Sequence, residues 1–113
     1  MNLEEMKLKA GAAEALLKAV ANRNRLIILC ELLRGELSVA ELRGAVRLSQ
    51  SALSQHLARL RADKLVTTRR ESQTIHYTLA SNNVKELIDL LYRLYCAPEC
   101  GPAPAVKKRR KTT

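Results

Sequence analysis

Residues 48–61 read Leu48-Ser49-Gln50-Ser51-Ala52-Leu53-Ser54-Gln55-His56-Leu57-Ala58-Arg59-Leu60-Arg61. A helix beginning after Ser49 brings Leu53, Leu57 and Leu60 onto one apolar stripe at i, i+4 and i+7. Ser49 is then the cap, its hydroxyl accepting from an N–H of the first turn. Ser51, Ser54, Gln55, Ala58 and Arg59 point away from that stripe. No carboxylate falls in the first turn, where acids normally favour the helix dipole. A face of Gln, Ser and Arg without acid can approach phosphates and base edges without repelling them. An ordinary solvated helix face has the same composition, so the flanking sequence has to decide between the two.

Upstream, Leu37-Ser-Val-Ala-Glu-Leu42 opens a short helix to about Val46, with Ser38 and Glu41 spaced as a capping box. Arg47-Leu48 is the turn, and helix, tight turn, helix is the helix-turn-helix arrangement. Downstream, after Ala62-Asp63-Lys64, the apolar period changes from helical to alternating. Val66, Thr68 and Arg70 alternate with Thr67 and Arg69. After the break Glu71-Ser72-Gln73, Ile75, Tyr77 and Leu79 alternate with Thr74, His76 and Thr78. This is a β-hairpin pattern, and its tip carries Arg69, Arg70, Gln73 and Thr74. A basic hairpin directly after a helix-turn-helix is a wing.

Three further helices complete the expected fold. Residues 3–20 offer Leu8, Ala12, Ala15, Leu16 and Ala19 for one face. Asn22 to Asn24 is a break with capping potential. Arg25 to Leu33 is apolar nearly all round and should be central to the core, with Gly35 as a left-handed cap after it. Ser81-Asn82-Asn83 starts a last helix in which Val84, Leu87, Ile88, Leu91, Leu94 and Tyr95 form a stripe widened by Leu90. The expected architecture is mainly α with one small hairpin: four helices, two strands, one helix. Residues 1–97 form the folded domain, and 98–113 read as a disordered basic tail, with three Pro, Gly101 and the run Lys107 to Lys111.

Composition narrows the function. The 113 residues carry a formal charge of +9, and residues 1–96 alone hold 15 Lys/Arg against 10 Asp/Glu. A basic body points to a polyanionic partner, most simply nucleic acid. There are three Tyr and no Phe or Trp. That argues for an aliphatic core and against single-strand binding by base stacking. No apolar run approaches the ~20 residues that span a bilayer, and the N-terminus lacks a signal-peptide pattern. A cytoplasmic protein without membrane association is expected. There, cysteines serve as thiols with redox or metal chemistry more often than as structural disulfides.

Taken together, Leu16 to Ala19, Asn22 to Leu26, Glu36 to Leu42, Leu48 to Ser51, Ser54 to Leu57, Leu60-Arg61 and Leu65-Val66 resemble the ArsR/SmtB family of winged-helix regulators, over about residues 12–97. The resemblance implies a homodimer through the first and last helices, bound to double-stranded operator DNA at an inverted repeat, and acting as a repressor. It places Gln50, Ser51, Ser54 and Gln55 as candidate base or phosphate contacts, and His56 as a residue of the same helix that packs or touches phosphate. Arg59 and Arg61 are candidate phosphate contacts, and Arg69, Arg70, Gln73 and Thr74 are wing contacts. The family's metal-sensing branches use Cys-Val-Cys at the third helix, where this chain has Ser38-Val39-Ala40, or Asp, His and Glu on the last helix, which here has no His. No metal site or other cofactor is expected.

Cys30 and Cys96, with the Leu94-Tyr95-Cys96 ending, resemble instead the persulfide-sensing, BigR/SqrR/HlyU-like branch. That branch uses the two thiols as a dithiol switch for reactive sulfur species or oxidants. By residue type alone, Cys30 is equally a small core hydrophobe. A nearby Arg25 or Arg93 would lower a thiol pKa. Cys100 is an extra resolving thiol or a spectator, and Cys30, Cys96 and Cys100 together would suit arsenite or another soft ion. A thiol enzyme would need a His partner that no spacing supplies, and a charge-driven DNA-coating protein would need no recognition helix. His76 is expected on a wing strand with no catalytic role.

Overall fold

The computed structural model describes residues 2–96. Helix α1 spans Leu3–Val20 and α2 Arg23–Leu33; strand β1 is Leu37–Ser38; α3 spans Val39–Val46 and α4 Gln50–Ala62; β2 is Val66–Glu71, β3 Thr74–Leu79 and α5 Asn82–Tyr95. The winged helix-turn-helix order read from the sequence is present, with one strand more than expected.

Each helix starts at a polar cap that the sequence supplies. Asn2 accepts from the Glu5 N–H at 3.1 Å, and Asn22 from the Asn24 and Arg25 N–H groups at 3.0 and 3.1 Å. That places the start of α2 at Arg23, two residues before the apolar run begins. Ser38 and Glu41 form the complete capping box: the Ser38 N–H donates to Glu41 Oε1 at 2.8 Å and the Glu41 N–H to Ser38 Oγ at 3.2 Å. Ser49 accepts from the Ala52 N–H at 3.1 Å. These bonds satisfy donors that a helix end otherwise leaves orphaned.

The missed strand follows from the same capping box. A cap residue is extended, and Ser38 sits at φ −78°, ψ 166°. Leu37 and Ser38 are therefore already strand-like. They pair antiparallel with Tyr77 and His76 rather than opening the third helix. The sheet order is β1-β3-β2. The hairpin register runs from Val66 opposite Leu79 to Glu71 opposite Thr74. The loop is thus Ser72-Gln73, one residue shorter than the polar break. Ser72 adopts a left-handed φ of 58°, as tight hairpins require.

The core is aliphatic. Leu53, Leu57 and Leu60 of α4 are buried, as are Ile28, Leu29 and Leu32 of α2, Leu42 of α3 and Val84 and Ile88 of α5. Helix α2 buries one face only, because Ile27 remains 41 % exposed on the other. Helix α1 departs most from its sequence pattern. Only Ala19 and Val20 are buried and Leu16 packs at the core edge, while Leu8 is 86 % exposed. Its last turn is tied to α2 by Arg25, whose Nε–H donates to the Ala19 carbonyl at 2.8 Å. The small residues of its N-terminal half find no partner within the described chain. On α5, Leu90, Leu94 and Tyr95 likewise face outward.

Leu57→Ala removes a side chain that is 2 % exposed and should cost about 2–5 kcal/mol in chemical denaturation. Ser38→Ala breaks the capping box and should cost about 1 kcal/mol. A Ser38→Ala variant as stable as the wild type would mean that the β1–β3 pairing, not the cap, holds the start of α3.

Candidate DNA interface and thiol pair

The α4 stripe that buries three leucines fixes which side chains face out. Gln50, Ser51, Ser54, Gln55, Arg59 and Arg61 are exposed, and His56 is half-buried beside the core stripe. The first turn of α4 has no acid, so its unpaired N–H groups and polar side chains meet an incoming phosphate without repulsion. Arg59 is turned along the helix, its Nε–H donating to Asp63 at 2.9 Å. Arg61 has no ion pair among the described residues and lies with Ser54 on the rim of an open groove. That groove is floored by Leu57, Ala58 and Tyr77.

In the wing, Arg70, Gln73 and Thr74 are exposed, and Arg70 has no ion pair among the described residues. Arg69 is different. Its Nε–H and Nη2–H donate to the two oxygens of Glu36 at 3.0 and 2.8 Å, and its Nη1–H to Glu71 at 3.4 Å. A two-pronged guanidinium–carboxylate pair is directional as well as attractive. Here it ties strand β2 to the segment leading into β1, and β1 itself pairs with β3. Arg69 therefore positions the wing, a role that residue type and spacing did not reveal. Glu36 was visible only as part of the resemblance, since its partner lies 33 residues away. His76 faces Glu71, with Nε2 at 3.6 Å.

Cys30 is half-buried on α2 and Cys96 is the C-cap of α5, its N–H donating to the Tyr92 carbonyl at 2.8 Å. Both are thiols rather than a disulfide. Burial pushes the Cys30 thiol up to about 11, with further upward contributions from the negative charge of Cys96 and then of Glu31. Two residues 66 positions apart are thus brought within electrostatic reach by the packing of α5 on α2. The shift runs opposite to the lowering expected from a neighbouring cation: Arg25 is engaged by the Ala19 carbonyl and Arg93 by Asp89 at 2.8 Å. Among the described residues no cluster of three His, Cys, Asp or Glu is arranged to hold a metal ion. Cys100 and the tail of residues 98–113 lie outside the described residues.

Comparison with known proteins bears on this geometry. The family described as bacterial regulatory protein, arsR family, matches residues 22–68, which run from the cap of α2 into the wing. The transcriptional activator HlyU of Vibrio cholerae is 62 % identical over 96 residues, covering 85 % of this chain and 89 % of that protein. The chain belongs to the ArsR/SmtB family. A second family member, the biofilm growth-associated repressor of Agrobacterium fabrum, is 42 % identical over 97 residues, covering 86 % of this chain and 83 % of its own. The crystal structure of the transcriptional repressor BigR from Xylella fastidiosa superposes with a TM-score of 0.80 at 37 % identity, covering 86 % of this chain and 99 % of that one. As a member of the ArsR/SmtB family the chain is a transcriptional regulator, not an enzyme. Among the described residues no helix is long and apolar enough to cross a membrane.

The Glu36–Arg69 pair carries a pH signature. The hydrogen bond from Arg69 holds the Glu36 carboxyl below its ordinary value of 4.5. A depressed folded-state pKa means that the tether is fully present above about pH 4.5 and is lost as pH falls through the lower, folded value. The protection factors of the β2 amides, the observed exchange set against the intrinsic rate at the same pH, should therefore fall at acid pH in the wild type. In Glu36→Gln they should already be low at neutral pH. Equal protection of β2 in both proteins at neutral pH would show that the strand ladder alone fixes the wing.

Proposed function

We propose that this ArsR/SmtB regulator binds double-stranded operator DNA as a homodimer and releases it when Cys30 and Cys96 are linked by reactive sulfur species or an oxidant. The observation that carries the reading is the pairing of two distant thiols, on α2 and at the end of α5, close enough for one to act electrostatically on the other. The exposed apolar side chains of α1 (Leu3, Met6, Leu8, Leu17) and of α5 (Leu90, Leu94, Tyr95) supply the dimer surface. A two-fold dimer presents two α4 helices to successive major grooves, about 34 Å apart, and so reads an inverted repeat. Gln50, Ser51, Ser54, Gln55 and His56 face the bases and nearby phosphates. Arg59 and Arg61 contact phosphate, and Arg70, Gln73 and Thr74 carry the wing contacts, with Arg69 holding the wing in place.

The switch chemistry follows from the thiols. At neutral pH Cys30 is held protonated, and a protonated thiol is a poor nucleophile. The first attack therefore falls to Cys96, whose thiolate displaces a shorter polysulfide anion from a polysulfide and becomes a hydropolysulfide adduct. Cys30 then attacks the sulfur next to the terminal one of the ionised adduct, its thiol proton passing to the departing sulfide, which leaves as hydrosulfide, and a Cys30–S–S–S–Cys96 bridge remains. The two thiols lose two electrons, and sulfane sulfur is reduced to hydrosulfide. The bridge ties α2 to α5. Because the outer face of α5 also sets the dimer, the link changes the separation of the two α4 helices and lowers DNA affinity. A shift of this kind is limited to the difference in bridge stability between the two conformations. One relative is an activator and another a repressor. Both outcomes follow from a single DNA-binding domain, according to whether the operator overlaps a promoter or the site of another protein.

The reading is tested on the full chain by intact-mass spectrometry and operator binding after treatment with polysulfide, and in parallel with arsenite. Wild type should gain a sulfur-containing Cys30–Cys96 cross-link and lose operator affinity. Cys30→Ser should retain an adduct at Cys96 without the cross-link, and Cys96→Ser should react slowly at neutral pH, because burial keeps the remaining Cys30 thiol protonated. A normal loss of DNA binding in both variants would overturn the switch. A response to arsenite alone would replace it with a soft-metal sensor.

A further inference from the structure

Helix α3 carries Arg43 and is closed by Arg47, both exposed and neither in an ion pair among the described residues. The only acid of the helix, Glu41, is turned to the opposite end, where it accepts from the Ser38 N–H. Arg47 carries a local cost. It is the C-cap in the left-handed conformation, φ 57° and ψ 43°, a position that glycine or asparagine fills without penalty. Between them stands Gly44, where a Cβ would meet open space. Packing within the chain therefore does not require a glycine there, although glycine weakens a helix interior. Two locally unfavourable choices, Gly44 and the left-handed Arg47, thus lie beside the unpaired Arg43, with Arg47 two residues before the Ser49 cap of the acid-free helix α4.

We propose that Arg43 and Arg47 form a phosphate clamp that seats the turn of the helix-turn-helix on the DNA backbone, beside the groove that α4 enters. The cations neutralise phosphates, the left-handed turn aims Arg47 alongside the first turn of α4, and Gly44 lets the backbone of the duplex come close. The contacts are sequence-independent: they fix the depth and angle of α4, and the side chains of α4 read the bases. The inference rests on the DNA-binding reading above and extends the interface to α3, which that reading left out. The bland explanation is that cations near the C-terminal end of α3 merely favour its dipole. The two accounts differ in what a glycine at position 47 does.

The test uses the full-length chain with a duplex selected from random DNA by the wild type and with a scrambled duplex of equal length. Affinity is measured across a salt series, with thermal melting alongside. Each phosphate contact contributes about 0.9 to the slope of log affinity against log salt. Arg47→Gly and Arg43→Gln should each lower that slope by roughly 1, on both duplexes alike, so the ratio between selected and scrambled DNA is kept. Arg47→Lys should keep the slope. Arg47→Gly should melt at or above the wild-type temperature, because glycine accepts the left-handed backbone, so lost affinity in that variant is not lost folding. An unchanged slope in Arg47→Gly and Arg43→Gln, with the wild type binding normally, overturns the clamp. A lowered melting temperature with an unchanged slope overturns it in favour of the dipole. A wild type that selects no sequence from the random pool fails the DNA-binding reading instead.

Discussion

Burial of the α4 stripe is the constraint on which the rest of the molecule depends. With no Phe or Trp, the core is filled by branched aliphatic side chains. Leu53, Leu57 and Leu60 contribute one face of it, almost fully shielded from solvent. Because those three positions are fixed inward, Gln50, Ser51, Ser54 and Gln55 are fixed outward. Rotating α4 to present any other surface would expose three leucines, each worth about 1.5–3 kcal/mol of burial. That outward polar surface is thus held in place by hydrophobic packing behind it rather than by polar contacts around it.

The wing is held by other means. Its base buries Val66, Tyr77 and Leu79, but toward the tip β2 carries Arg69 and Arg70 outward, and the register is fixed by the ladder and by the Thr67–Thr78 hydroxyl pair at 2.9 Å. The base of the hairpin gains a third strand, β1, and an ion-pair tether, Glu36–Arg69. Both come from the segment that follows α2, the helix that carries Cys30. The helix that carries Cys30, the wing anchor and helix α4 are therefore consecutive in the chain and connected by short links.

The thiol pair illustrates how location overrides residue type. A cysteine in an apolar helix is usually a quiet core residue, and burial does suppress ionisation of Cys30. What distinguishes it is that α5 packs across α2 and brings its C-terminal thiol to the same place. Both cysteines are only partly buried.

Helical and strand periods, the caps Asn22, Ser38, Ser49 and Ser81, and the basic hairpin were legible in the sequence, because they depend on neighbours within about four residues. The winged helix-turn-helix order and the outward face of α4 follow from them directly. Strand β1 was not legible: two residues are too few for alternation, and their partners lie 38 to 40 positions downstream. Nor was the engagement of Arg69 by Glu36, the upward shift of Cys30, or the left-handed backbone of Arg47. The apolar residues of α1 were legible as one face, but that only Leu16, Ala19 and Val20 of that helix reach the core was not, because periodicity reports that a face is apolar and says nothing of what covers it. Local pattern was enough to set the elements and the polar outward face of α4. The engagement of Arg69 by Glu36, and the approach of Cys96 to within electrostatic reach of Cys30, were settled by tertiary packing, since both depend on segments far apart in the chain.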